Sequence, residues 1–280
     1  MFKIAGMIGT GNMGSAMAEA IYRSGAVKVL RISNRRPQKA QAVADKLAQI
    51  DADAASPVIA VTDNADIARS CDIIFFAVKP QILPEVLAEL APILADRKDR
   101  FILVTMAAGI SCEAFRKMAG GDYPVIRIMP NTPASIGKGV IEYCSEGVAD
   151  GDVDEFTKLM APAGLVDPIQ EKLIDAASAV TGCGPAYAYM FINSLADGAV
   201  RCGLPRDKAI AYAAAMVEGS AAMVLQSGLH PEQLKDAVCS PGGTTIAGVQ
   251  ALEDAAFRAA VMEAVCAAYD KTIAMGKGGK

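Results

Sequence analysis

The stretch "MIGTGNMGSAM", residues 7–17, decides how the first half of this chain folds. Gly9, Gly11 and Gly14 stand in G-x-G-x-x-G spacing, directly after the apolar run "FKIAGMI" (2–8) and at the head of "MGSAMAEAIYRSG" (13–25). The glycine pattern alone is weak, and an ordinary glycine turn is its competing reading. A strand before it and a helix after it supply the context that phosphate binding requires. Gly9 permits a tight turn, Gly11 lets backbone approach a pyrophosphate, and Gly14 lets helix pack on strand. Free N–H groups at the helix start then face the phosphates. The stretch predicts a dinucleotide site.

Outward from it, short β-rich runs alternate with helical segments. "KVLRIS" (28–33), "PVIAVT" (57–62), "CDIIFFAV" (71–78), "RFILVTMA" (100–107) and "YPVIRIMP" (123–130) read as further strands, and "PQKAQAVADKLA" (37–48) as a helix opening on proline. Such alternation predicts a doubly wound parallel sheet of Rossmann type. After about residue 170 the strands stop. Segments 171–180, 185–202, 206–227, 231–238, 245–254 and 256–275 are Ala-rich and helical, separated by "TGCGP", "CGLP", "SGLHP" and "SPGG". The expected division is residues 1–166 as a nucleotide-binding domain and 167–280 as an all-α domain, with the tail "GKGGK" frayed.

Composition limits the partners. Apolar residues make up 52% and charged residues 21%, with a formal net charge of −4. That gives no basic footprint for nucleic acid or an anionic membrane. Tryptophan is absent and aromatics are 5%, so base-stacking platforms are lacking too. Cysteines at 71, 112, 144, 183, 202, 239 and 266 form no CxxC pair and read as reduced thiols of a cytoplasmic protein. His230, before Pro231, reads as a residue that opens a helix, and no metal is expected. The chain enters a strand at once, which leaves no room for a signal peptide. The uncharged run 176–196 is long enough to span a membrane, but Gly182, Gly184 and Pro185 break it, and a buried or interface helix is expected.

Charge selects the dinucleotide. An NAD site places Asp or Glu at the end of the second strand to bind the ribose 2′-OH. This chain has "SNRRPQK" there: Ser33, Asn34, Arg35 and Arg36, with no acid until Asp45. Guanidinium groups and a hydroxyl receive a 2′-phosphate that a carboxylate would repel. NADPH is the expected cofactor, with NADH as the alternative. Two more strand ends fit the same rim: Lys79–Pro80 and Ala107–Ala108–Gly109.

In the helical half, "CSPGGTTIAG" (239–248) is a polar break, with Pro241 and Gly242–Gly243 stopping one helix before the next begins. Taken with "AVKPQ" (77–81), "MAAGIS" (106–111), "RIMPNTPASIGKG" (127–139), "TGCGPAYAYMF" (181–191) and "LKDAVCSPGGTTIAGVQALE" (234–253), the chain resembles the pyrroline-5-carboxylate reductases, end to end. The Gly-Gly-x-Thr segment is the most specific of these motifs. The resemblance implies a Rossmann domain, a helical domain that dimerises, homodimers or larger assemblies of dimers, and NAD(P)H-dependent formation of L-proline. By position it assigns cofactor contacts to Ile8, Gly9, Thr10, Gly11, Asn12, Met13, Ser33, Asn64, Ala77, Val78, Lys79, Pro80, Ala107, Ala108 and Gly109. It assigns the substrate pocket to Glu171, Val238, Ser240, Thr244 and Thr245. Two departures stand out: Thr181-Gly182-Cys183 where the family usually reads Ser-Gly-Ser, and Ala237 where some relatives carry a cofactor-contacting Asn.

The substrate so implied is a cyclic imine bearing a carboxylate. N–H groups after Gly242–Gly243 can grip the carboxylate without an arginine. Thr245 is the expected catalytic hydroxyl toward the imine nitrogen, with water or Glu171 as proton source. The plain alternative is Thr245 as a helix N-cap. A β-hydroxyacid dehydrogenase would want a lysine on the 185–202 helix, which has none, and a non-catalytic NADP-binding protein is the reading from another class.

Overall fold

The computed structural model describes residues 2–50 and 57–276. Residues 277–280 of the expected frayed tail lie outside the described residues. The chain divides into two compact units, Met1–Gly182 with Tyr269–Lys280, and Cys183–Ala268.

The first unit is built on eight strands: β1 Ile4–Ile8, β2 Val29–Ser33, β3 Val58–Val61, β4 Ile73–Phe76, β5 Ile102–Thr105, β6 Val125–Pro130, β7 Gly139–Glu146 and β8 Gly164–Pro168. Their order in the sheet is β3-β2-β1-β4-β5-β6-β7-β8. Every pairing is parallel except β6 with β7. Six strands follow the sequence expectation; β7 and β8 extend the sheet beyond it, and β7 adds the antiparallel step. The helices of this unit are α1 Asn12–Ser24, α2 Pro37–Ala48, α3 Asn64–Ser70, α4 Leu83–Asp96, α5 Cys112–Ala119, α6 Asp150–Met160 and α7 Glu171–Thr181.

Helices cover both faces of the sheet, so the strands are apolar throughout rather than alternating. Ile73, Phe75, Ile102 and Val104 belong to one buried cluster with Met17 and Ile21 of α1. Ile74, Phe76 and Leu103 belong to another with Leu87 and Leu90 of α4 and Phe115 of α5. Register then sets the site. Ile8 pairs with Ser33 and with Phe76, and Phe76 pairs with Thr105, so four strands end in one row. The segments leaving that row (Gly9, Asn34, Ala77 and Met106) form one rim at the carboxyl ends, where the strand order reverses about β1.

The compact unit runs on to Gly182, past the expected 166/167 division, because α7 is fastened to the sheet. Arg127 of β6, 3% exposed, bonds Asp175 at 2.5 Å and reaches Glu171 at 3.4 Å. The uncharged run 176–196 is therefore two helices in two units, broken at Gly182–Cys183.

One buried group in the sheet is not so well served. Glu142, 3% exposed on β7, has no hydrogen-bond partner for either carboxylate oxygen among the described residues. Burial pushes its carboxyl above the usual glutamate range; the nearby Thr181 hydroxyl draws it partly back and Asp167 adds to the rise. A carboxyl raised by folding binds more protons folded than unfolded, so stability falls as pH rises through the folded pKa. Glu142→Gln is expected to stabilise the fold near neutral pH by the order of 1–3 kcal/mol, the cost of an unsatisfied buried group, and so to raise the melting temperature. The gain should vanish below about pH 4, where glutamate is protonated even unfolded. Thermal melts of both proteins across that range measure it.

The second unit holds α8 Gly184–Arg201, α9 Arg206–Ser227, α10 Pro231–Val238, α11 Thr244–Asp254 and most of α12 Phe257–Gly276. Tyr187 Oη of α8 donates to the Ala264 carbonyl at 3.1 Å, and the Phe191 and Phe257 rings meet at 5.9 Å. His230 opens α10 as its cap, Nδ1 accepting from Glu232 N at 3.2 Å. Only Ala196, Ala209 and Ala213 are buried on α8 and α9. Tyr189, Met190, Tyr212, Met216, Met223 and Leu225 stand exposed. Helices apolar around so much of their circumference need a cover. By length and composition alone, α9 could cross a membrane.

Candidate active site

The glycine turn has the geometry its spacing predicts. Gly9 lies at φ +100°, and a Cβ there would sit 2.7 Å from the Ala77 carbonyl oxygen. A Cβ on Gly14 would fall on the Gly9 carbonyl oxygen and 2.9 Å from Ala77 Cβ, so helix, turn and β4 touch at backbone distance. Gly11, which caps α1, has nothing within 4 Å of its would-be Cβ. Open space at that one glycine is what a close backbone approach by a pyrophosphate requires. Ser15 N makes the first intrahelical bond, to the Gly11 carbonyl at 2.8 Å, which leaves the N–H groups of Asn12, Met13 and Gly14 unspent. No acidic residue stands in this first turn to offset its positive end.

The second rim segment is pinned to the first. Asn34 Nδ2 donates to Thr10 Oγ1 at 2.9 Å, its Oδ1 accepts from Arg36 N at 3.0 Å, and Gly9 N donates to the Ser33 carbonyl at 3.0 Å. Buried Ser33 donates to Asn64 Oδ1 at 2.7 Å, and Asp63, capping α3 through Ala65 N at 2.8 Å, fixes where Asn64 begins. Ser33 and Asn34 thus spend their side chains on shaping the loop. Arg35 and Arg36 are exposed, and among the described residues neither guanidinium pairs with a carboxylate. Val78 and Pro80 are half-buried and Lys79 is exposed on the β4 side, while Ala107 is buried and Ala108 and Gly109 half-buried after β5. All the expected cofactor residues fall on this one rim. Asp63 is an addition, signalled only by its place before Asn64.

The loop 239–248 is equally definite. Gly243 N donates to the Ser240 carbonyl at 3.0 Å across Pro241 and Gly242, and Gly242 has φ +68°. Proline second and a left-handed glycine third make a type II turn. Ser240 Oγ folds over Gly243, where a Cβ would collide with it. Gly243 is the cap of α11, with no side-chain capping bond, and α11 begins at Thr244, one residue earlier than expected. Thr245 is therefore the second helical residue, not the cap. The first intrahelical bond is Ala247 N to the Gly243 carbonyl at 3.4 Å, so the N–H groups of Thr244, Thr245 and Ile246 precede it. Thr244, Thr245, Ser240 and Val238 are exposed, and the first turn has no acid.

Glu171 belongs to the other unit, and its carboxylate is engaged there. Oε1 accepts from Cys112 N, at the start of α5, at 2.6 Å and lies 3.4 Å from Arg127. Cys112 and Cys144 stand with Sγ atoms 3.8 Å apart beside it. Their shared hydrogen bond holds Cys144 below the ordinary thiol range, while Cys112 is pushed up by that bond and by burial.

Comparison with known proteins gives one family match in each half of the chain. A family model described as "Pyrroline-5-carboxylate reductase dimerisation" matches residues 171–275, and one described as "NADP oxidoreductase coenzyme F420-dependent" matches 4–109. The chain is 40% identical to pyrroline-5-carboxylate reductase of Glycine max, covering 95% of this chain and 94% of that one. It is 39% identical to the Escherichia coli K12 reductase over 99% and 100%. Among solved structures, pyrroline carboxylate reductase of Plasmodium falciparum with NADP bound has TM-score 0.82 at 34% identity, covering 98% of each chain.

Proposed function

The chain belongs to the pyrroline-5-carboxylate reductase family, and from that premise we propose how its own residues divide the reaction. The enzyme is dimeric and reduces L-1-pyrroline-5-carboxylate to L-proline with a nicotinamide cofactor. Gly9, Gly11 and the first turn of α1 hold the cofactor's pyrophosphate, and Arg35 with Arg36 meets a 2′-phosphate, so NADPH is preferred over NADH. When bound, that cofactor supplies the hydride.

The observation that carries the substrate reading is the first turn of α11: three consecutive N–H groups without intrahelical partners, no acid and no capping side chain, behind a closed turn. Such an end binds a carboxylate. With the carboxylate gripped there, the exposed Thr245 hydroxyl hydrogen-bonds the imine nitrogen and orients the ring. An alcohol is too weak an acid to be the final proton source. Glu171 is committed to Cys112 N and Arg127, so water is the donor in this reading, relayed or aligned by Thr245. Juxtaposing ring and hydride donor can contribute about 7–11 kcal/mol.

The exposed apolar faces of α8, α9 and α12 are the surface that a second copy covers, and dimers assemble further into rings. The reducing cytoplasm suits seven free thiols. Neither nucleic acid nor membrane is a partner in this reading.

The test is consumption of NADPH by purified protein given racemic pyrroline-5-carboxylate, followed by loss of reduced-nicotinamide absorbance with proline measured as product. A β-hydroxyacid and its keto partner serve as the rival substrates. Turnover with those alone, or cofactor binding with no turnover, would overturn the assignment of roles.

A further inference from the structure

Away from the cofactor rim, a cleft of about 630 Å³ is lined by Cys112, Tyr143, Cys144, Glu146, Gln170 and Glu171. Three elements bring their ligand-bearing side chains to its wall: Cys112 opens α5, Cys144 lies in β7 and Glu171 opens α7. The two sulfurs and a carboxylate oxygen all lie within 4.8 Å of one another. The sulfurs themselves are 3.8 Å apart. Two thiolates bound to one tetrahedral zinc at about 2.3 Å stand about 3.8 Å from each other, whereas a disulfide needs about 2.0 Å. The separation already fits a shared ion without moving either sulfur.

The surroundings fit as well. Glu171 Oε1 is oriented by Cys112 N at 2.6 Å and by Arg127 at 3.4 Å, the outer hydrogen bonds that hold a metal-binding carboxylate in place. Two thiolates and one carboxylate around a dication leave one negative charge, and Arg127, 3% exposed and shared with Asp175, stands 3.4 Å from Glu171, where it offsets part of that charge.

We propose that Cys112, Cys144 and Glu171 form a binding site for a soft tetrahedral divalent metal of the zinc type, joining α5, β7 and α7. Because α5 follows directly on the Ala107–Gly109 segment, the ion would brace the wall of the cofactor rim from outside it. The proposal concerns the first unit's own residues and does not depend on how the reaction is divided above.

Reduced, metal-free, full-length protein titrated with cobalt(II) is expected to develop a thiolate-to-cobalt charge-transfer band and the visible bands of tetrahedral cobalt. These should saturate at one ion per chain and disappear on adding zinc. Zinc should also raise the melting temperature, since an ion that binds only the folded state stabilises it. Cys144→Ser should abolish the bands and the shift, while Cys202→Ser, at an exposed thiol remote in sequence, should keep both. Cys144 is only half-buried, so this variant avoids disturbing buried Cys112. No tetrahedral bands in wild type, or bands that persist in Cys144→Ser, overturn the site. So does ready closure of a Cys112–Cys144 disulfide by a low-molecular-weight disulfide, which leaves as two thiols, in protein that binds no cobalt.

Discussion

Replacing Thr245 by alanine is expected to lower turnover ten- to a hundred-fold while the Michaelis constant for NADPH stays within a few-fold of wild type. The factor corresponds to about 1.4–2.8 kcal/mol of transition-state stabilisation. It is assigned to one hydroxyl on the imine nitrogen, because the carboxylate grip is backbone and survives the substitution. A structural explanation for such a loss is weak on this fold. Gly243, not Thr245, caps α11, and no side chain bonds the helix end. Thr245 is exposed, and alanine is the better helix former, so the variant should melt at or above the wild-type temperature. Thr245→Ser, which keeps the hydroxyl, should recover most of the rate. Wild-type turnover in Thr245→Ala would reduce the residue to a helix position, and an equal loss in Thr245→Ser would point to the methyl group instead.

Much of this was legible in the chain itself, for identifiable reasons. Helices 37–48, 206–227 and 231–238 come out at the residues their punctuation marks, because proline, glycine and the His230 cap leave little freedom at the ends. Strand β7 was not legible. "GVIEYCSE" sets buried Glu142 between Ile141 and Tyr143, and a carboxylate at that place breaks the apolar run by which the other strands announce themselves. Strand β8 ends on Pro168, which reads as a loop but is tolerated because β8 is the edge of the sheet.

The site divides in the same way. The glycine turn and the α11 turn are local, so sequence spacing carries them. The fastening of α7 depends on Arg127 finding partners 44 and 48 residues away, and the thiol pair joins Cys112 to a residue 32 positions on. Neither leaves a periodic trace. Glu171 shows the consequence: placed in the substrate pocket by resemblance, it stands in the structure with its carboxylate between Cys112 N and Arg127.

Charge reversal at Arg35 is the sharper test of the cofactor reading. Arg35→Glu is expected to raise the Michaelis constant for NADPH about 10- to 150-fold, the equivalent of losing a charge-assisted hydrogen bond of about 1.5–3 kcal/mol. NADH should be used as well as before, or better, since a carboxylate at the end of β2 accepts from a ribose 2′-hydroxyl. The asymmetry follows from the loop. Asn34 is held on Thr10 and on Arg36 N, so the backbone that presents residue 35 is set by bonds the substitution does not touch. Arg35 is exposed with no carboxylate partner among the described residues, so its replacement breaks no ion pair there and should leave the melting temperature unchanged. The nearest acid along the chain, Asp45, is bonded to Gln41 at 2.7 Å on α2 and does not compete for the guanidinium. The effect on NADPH should shrink as salt rises, because an exposed ion contact is screened. Parallel losses with NADPH and NADH would mean that Arg35 meets the part the two cofactors share, and the preference for NADPH would then need another source.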